Sequence, residues 1–214
     1  MPEPDRTRAR ELAAASRMAG DPSGWFEKLY QEQEEGRKVV PWADAGPNPN
    51  LLPFDGTGKS ALVVGCGFGN DAELISSWGF QTTAFDVSPS AVRAAKKRFP
   101  ESRVDYAAAD LLKPPAEWTG RFDFVLEIYT LQVLPLELRP QAIRSVAGFA
   151  KRGGRILVIA RSRHEDEPEG LMPWPLERKE LQEFVRLGLR EESFEDFFDK
   201  ESPPVRRFRA VFVK

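Results

Sequence analysis

The chain has 214 residues, enough for one domain with a sizeable core. Its 31 Lys and Arg against 33 Asp and Glu leave a net charge of -2, which gives no general reason to expect nucleic acid or an anionic membrane as partner. A single cysteine, Cys66, excludes an intrachain disulfide, and a single histidine, His164, leaves no His-rich or Cys/His metal cluster. No apolar run approaches the ~20 residues needed to span a bilayer. The N-terminus, M-P-E-P-D-R-T-R-A-R, lacks the apolar core of a secretory signal. A cytoplasmic protein with a small-molecule partner is expected, with neither nucleic acid nor membrane involved.

Taken in order, the chain starts with an Ala-rich helical segment from Arg8 to Ala19. Asp21-Pro-Ser-Gly then starts a second helix, in which Trp25 and Leu29 are spaced i, i+4, as are Phe26 and Tyr30. Prolines 41, 47, 49 and 53 break the pattern between Gly36 and Pro53, where Trp42 and other apolar residues predict an ordered lid. Residues 1–54 are therefore expected to be a helical segment and Pro-rich lid, and residues 55–214 the core of one structural domain.

Ala61 to Val64 is a short apolar run that suits a strand buried on both faces. Gly65, Gly67 and Gly69 follow as a tight turn that lets a ligand approach the backbone, with Cys66 contributing its backbone. Asp71 opens a helix whose Ala72, Ile75 and Trp78 share a face, and Gly79 stops it. Gln81 to Phe85 predicts the second strand, after which Asp86 stands level with the glycine turn, suited to accept from a ribose. Ser88-Pro89 caps the next helix. Arg103–Ala109 and Phe122–Glu127 read as further strands. Ile143, Val146, Ala147 and Ala150 mark a helix that Gly153-Gly154 should end, and Arg155–Ala160 is a fifth strand. Leu181, Phe184 and Val185 mark the last helix, followed by strands near 190–194 and 205–213.

This alternation predicts an α/β fold, a Rossmann-like doubly wound and mostly parallel sheet with helices on both faces. Ligands of such sheets bind outside the carboxyl ends of the strands, where the glycine turn, Asp86, Asp110 and Glu127 all fall. Asp71 at the helix N-terminus repels a pyrophosphate but tolerates a cationic, amino-acid-like ligand. Asp110 suits an adenine amino group, with Leu111 packing on the ring.

With these pieces in order, the chain resembles the class I S-adenosylmethionine-dependent methyltransferases over about residues 60–160, in V-V-G-C-G-F-G-N-D, A-F-D-V-S, A-A-D-L-L, F-D-F-V-L-E and R-G-G-R-I-L-V. It departs from many of them in having Val63, not an acid, two residues before the first glycine. More narrowly it looks like the thiopurine methyltransferase-like branch, with its thiol and halide methyltransferases, through G-C-G-F-G-N-D, F-D-V-S-P-S-A-V, L-P-L-E-L-R and the upstream Pro41-Trp42. That resemblance implies seven strands, the last antiparallel, and in-line methyl transfer to a small molecule with sulfur or halide acceptors favoured. The implied cofactor set is Trp42, Gly65, Cys66, Gly67, Gly69, Asp71, Asp86, Val87, Asp110, Leu111 and Glu127. Glu127 and Tyr129 are the acceptor-pocket candidates, with no base assigned. Met172 to Leu176 is expected to be a pocket wall and His164 a solvated loop residue, while Arg206, Arg207 and Arg209 read as exposed charges on an edge strand. A NAD-dependent oxidoreductase and a catalytically silent S-adenosylmethionine-binding module are the rival readings.

Overall fold

The computed structural model describes residues 5–37, 39–42, 46–51 and 59–214. Pro53 and the expected boundary at residues 54 and 55 lie outside these. Parallel strands β1 (Ser60–Val64), β2 (Gln81–Asp86), β3 (Asp105–Ala108), β4 (Phe122–Ile128) and β5 (Ala150–Arg161) are joined by helices. Two further strands, β6 (Arg190–Phe198) and β7 (Arg206–Val213), complete a seven-stranded sheet in the order β3-β2-β1-β4-β5-β7-β6. Strand β7 runs antiparallel to both β5 and β6, so a single strand opposes the rest.

The period-2 geometry of the strands splits the core into two layers. Leu62, Val64, Val125 and Ile156 face the side covered by α5 (Arg139–Phe149) and α6 (Arg178–Arg186). Their neighbours Ala61, Val63, Phe124 and Leu157 face the side covered by α3 (Asn70–Ser77) and α4 (Pro89–Arg98). Each central strand is apolar on both faces, as its uninterrupted hydrophobic run requires. The cap on α4 forms as expected, with the Ser88 hydroxyl accepting from Ala91 N–H and Pro89 in the first turn.

Helices α1 (Thr7–Met18) and α2 (Gly24–Glu34) build a third cluster in which Ala9, Leu12, Trp25, Leu29 and Tyr30 pack with Ala91 and Met172. The Asp21 carboxylate accepts at 2.9 Å from the N–H of Gly24, the first residue of α2. Glu27 on α2 accepts from the Ser88 hydroxyl, Ser90 N–H and the Ser90 hydroxyl at 2.6 to 3.0 Å, tying the N-terminal helices to the start of α4. Burial works against ionisation of Glu27, but these hydrogen bonds hold its carboxyl below the usual range.

Two expectations are corrected. Gly153 and Gly154 do not end α5, which stops at Phe149; they lie within β5, beside a register shift against β4. A β-carbon on Gly154 would stand 2.8 Å from the Phe122 carbonyl, so the close approach of β4 explains that glycine. The last helix forms as expected, as α6, with Leu181 and Phe184 buried. Arg206, Arg207 and Arg209 are not on an edge, because β7 is enclosed by β5 and β6.

Candidate active site

The turn after β1 is a cradle that only glycine fits. Gly65, Gly67 and Gly69 have φ of 61°, 51° and 85°, a region L-residues rarely adopt. A β-carbon on Gly65 would meet Thr130 Oγ1 at 2.3 Å, and one on Gly69 would meet the Tyr106 hydroxyl at 2.4 Å. Tyr106 is itself held by donating to Glu73 at 2.7 Å.

Asp86, at the end of β2, is buried and accepts from Gly67 N–H at 3.0 Å and Ser88 N–H at 2.9 Å. Burial pushes its carboxyl up to about 6, although these N–H groups pull it down. Burial, and then Asp86, push the Cys66 thiol well above its ordinary value, which offsets any lowering by the nearby helix N-terminus.

This cradle opens into a cavity of about 1240 Å³ at the carboxyl ends of the strands. Its lining includes Trp42, Gly65, Cys66, Gly67, Asp71, Asp86, Val87, Asp110, Leu111 and Tyr129 from the expected set. Gly69 stands behind it, against Tyr106. Asp110 accepts from Leu112 N–H at 2.8 Å, which turns the chain after β3. Asp71 accepts from Asn48 N–H at 2.7 Å, joining the start of α3 to the Pro-rich segment. The Trp42 indole donates to the Tyr30 hydroxyl at 2.9 Å, and these rings with Trp25, Phe26 and Phe68 form an aromatic wall. Met172 packs beside these aromatics and lines the cavity with Pro173, whereas Trp174, Pro175 and Leu176 of that loop are not in its lining. His164 is exposed, with its N–H donating to Glu167, as expected of a solvated loop.

Glu127 is placed differently from the expectation. It does not line the cavity and is wholly buried, with Oε1 accepting from Thr130 N–H at 2.7 Å and Leu131 N–H at 2.9 Å. Through these two bonds it shapes the turn after β4. Burial pushes its carboxyl up to about 7, against those two N–H groups and Arg139.

Tyr129 does face the cavity, and at φ of 64° it is the one non-glycine residue in the left-handed region among the described residues. Such a conformation costs of order 1–3 kcal/mol and tends to persist at functional sites. Asn50 donates to its hydroxyl at 3.1 Å, and the Arg207 guanidinium lies over its ring at 4.5 Å. Sequence reasoning missed Tyr106 and Thr130, the side chains that make the cradle intolerant of a β-carbon. It also missed Arg207, whose burial followed from strand order alone.

A cavity of this size exceeds the ~300–1,000 Å³ of ordinary ligand pockets, leaving room for a nucleoside cofactor and a small acceptor together. The glycine cradle, a buried acid behind it and an acid one strand on together fit S-adenosylmethionine. No group of three or more His, Cys, Asp or Glu is placed to hold a metal among the described residues, and no helix of theirs is long and apolar enough to cross a membrane.

Comparison with known proteins agrees with this fit. Residues 61–154 match the family model described as "Methyltransferase domain". The chain is 26% identical over 168 residues to a 2-heptyl-1-hydroxyquinolin-4(1H)-one methyltransferase of Mycobacteroides abscessus, covering 75% of this chain and 74% of that one. It is 36% identical over 138 residues to a ubiquinone biosynthesis O-methyltransferase of Xanthomonas oryzae pv. oryzae, covering 57% of this chain and 56% of that one. The chain thus spans only about half the length of that second relative. The fold matches the N-methyltransferase NodS of Bradyrhizobium japonicum in complex with S-adenosyl-l-homocysteine, with a TM-score of 0.63, 16% identity, and coverage of 98% of this chain and 97% of that one. The chain thus matches a methyltransferase domain over residues 61–154, on a fold shared with that S-adenosyl-l-homocysteine complex.

Proposed function

We infer that the chain methylates a small, largely apolar molecule at oxygen, with Tyr129 beside the position where methyl donor and acceptor meet. One observation carries this reading: the cavity runs without interruption from the glycine cradle past Tyr129 to the wall of Phe26, Tyr30 and Trp42. In this reading Asp86 accepts from the ribose, Asp110 and Leu111 hold the adenine, and the Asp71 end of the site faces the cationic methionine portion. Gly65, Cys66 and Gly67 meet the cofactor through backbone, Val87 packs on it, and Trp42 closes over it from residues 1–54 acting as a lid. The cofactor supplies an activated methyl group, while the protein supplies alignment and exclusion of water. Alignment of this kind contributes up to roughly 7–11 kcal/mol of barrier lowering.

The likeness to the thiopurine methyltransferase branch favours sulfur or halide. The Xanthomonas relative is named for O-methylation and the Mycobacteroides relative for a hydroxyquinolinone, which moves our reading to oxygen. Incubating the protein with S-adenosylmethionine labelled in its methyl group and a matched panel of aromatic hydroxyls, thiols and halide separates these acceptors. Transfer to a hydroxyl member is expected to be fastest. Transfer confined to thiols or halide would return the acceptor to the sulfur or halide class.

A further inference from the structure

Arg207 is 1% exposed and lines the cavity. Its Nε donates to Asp199 at 2.7 Å and its Nη2 to Glu201 at 2.6 Å, while its buried Nη1 has no hydrogen-bond partner. A guanidinium presents five donors in a fixed plane, and leaving one buried and unmatched costs the folded state. The same guanidinium lies over the ring of the strained Tyr129. A second observation concerns its neighbour across the sheet. Arg207 on β7 is the register partner of Arg161 on β5, and both line the cavity. Of these two residues on the cavity wall, Arg207 is the one with an unmatched buried donor.

Charged and polar groups face Arg207 from three sides. Asp199 and Glu201 come from the turn between β6 and β7, Tyr129 from the end of β4 and Arg161 from β5. Lys200 and Arg206 flank them, with Arg206 paired to Asp196. Asp199 is enclosed and neutralises Arg207 on one edge; Glu201 is about half exposed, so water screens it. The remaining edge of the guanidinium is the unmatched one.

We propose that Arg207 recognises the acceptor as an oxyanion, and that the acceptor is a planar aromatic molecule carrying an acidic hydroxyl. This rests on the methyltransferase reading of the cavity and adds the acceptor's charge state to it. The planar aromatic body fits the wall of Phe26, Tyr30, Trp42 and Phe68. The charge state fits the groups beside it: Asp71 and Asp86 already accept backbone N–H groups, and no histidine lines the cavity. A hydroxyl that has lost its proton to solvent before binding needs no base. Its oxygen lone pair then forms the new C–O bond as the C–S bond breaks, the electron pair going to sulfur. Anion and sulfonium cancel to give a neutral ether and a neutral thioether, with no proton left to move.

The test uses the full chain with saturating S-adenosylhomocysteine and 4-nitrophenol, whose anion is read by its absorbance. The bound probe is expected to ionise at a proton concentration about tenfold or more higher than the free probe. With labelled S-adenosylmethionine, kcat/KM for 4-nitrophenol should exceed that for benzyl alcohol by at least about tenfold. Arg207→Met should abolish the shift and the preference while S-adenosylhomocysteine affinity stays within about twofold. A bound probe that titrates as in water, or an Arg207→Met enzyme that keeps the preference, overturns the assignment. If Arg207→Met does not fold, the titration on the unaltered protein decides alone. Failure of S-adenosylhomocysteine to bind, or of every acceptor to take the methyl, removes the methyltransferase reading itself; binding and transfer without discrimination removes only the role of Arg207.

Discussion

Replacing Gly65 with alanine is expected to weaken S-adenosylhomocysteine binding by at least about tenfold and to lower the melting temperature. Two effects combine in the same direction. The backbone at Gly65 has φ of 61°, which costs a non-glycine residue of order 1–3 kcal/mol. The added carbon also lands 2.3 Å from Thr130 Oγ1. Thr130 has little freedom to yield, because its N–H is bound to Glu127 and its hydroxyl leans toward the Val64 carbonyl at 3.4 Å. The strain must then be relieved either in the turn that meets the cofactor or in the segment beside Tyr129, and both line the cavity. Calorimetric titration of the variant checks this. An affinity within twofold of the unaltered protein would show that the cradle does not meet the cofactor.

A second large effect concerns pH. Glu127 has its carboxyl raised from 4.5 to about 7, with burial as the main cause. An acid whose value is higher in the folded state stabilises the fold fully below its unfolded value, and this contribution is lost as pH rises through about 7. At pH 8 the ionised, buried carboxylate costs about 3 kcal/mol relative to pH 4. Asp86, raised from 3.8 to about 6, acts with the same sign over a lower window. Asp123 acts oppositely: burial resists, but bonds from Lys151 and Ser60 hold it at about 2, so its contribution is lost only as pH falls below about 4.

Glu127→Gln isolates the first of these. Its amide oxygen can still accept from Thr130 and Leu131, but the amide nitrogen replaces Oε2, which has no hydrogen-bond partner. The protonated acid already leaves one donor unmatched there, and the amide leaves a second, which costs about 1–3 kcal/mol. The variant is therefore expected to be less stable than the unaltered protein at pH 5, with the gap closing or reversing by pH 8. Urea unfolding at both values measures it. A gap that stays constant between them would mean that Glu127 does not titrate in this range.

The sequence made the centre of this fold legible and its far edge obscure, for physical reasons. Val63, Gly65 and Asp86 announce themselves because strand, turn and acid are contiguous, and each local preference agrees with the global fold. The same holds for Ser88-Pro89, where cap and first-turn proline coincide. Gly153-Gly154 misleads because a glycine pair punctuates a chain equally at a helix end and at an irregular strand. The arginines of β7 mislead because alternation shows which residues share a face but not which strands are neighbours. Only the insertion of β7 between β5 and β6 turns Arg207 from a surface charge into a buried one. Glu127 shows the converse limit: the end of β4 is readable, but whether its acid turns up into the cavity or down beneath the next turn is not. Within the cavity, the glycine turn, Asp86 and Asp110 lie on contiguous motifs, while residues 26, 42, 129, 161 and 207 of its lining are far apart in the chain.

A crystal structure of the protein with S-adenosylhomocysteine tests the account most directly. It should place the ribose hydroxyls within hydrogen-bond distance of Asp86, the adenine against Asp110 and Leu111, and the sulfur facing the space beside Tyr129. A cofactor bound away from the glycine cradle, or a sulfur turned from Tyr129 into the protein, would contradict it.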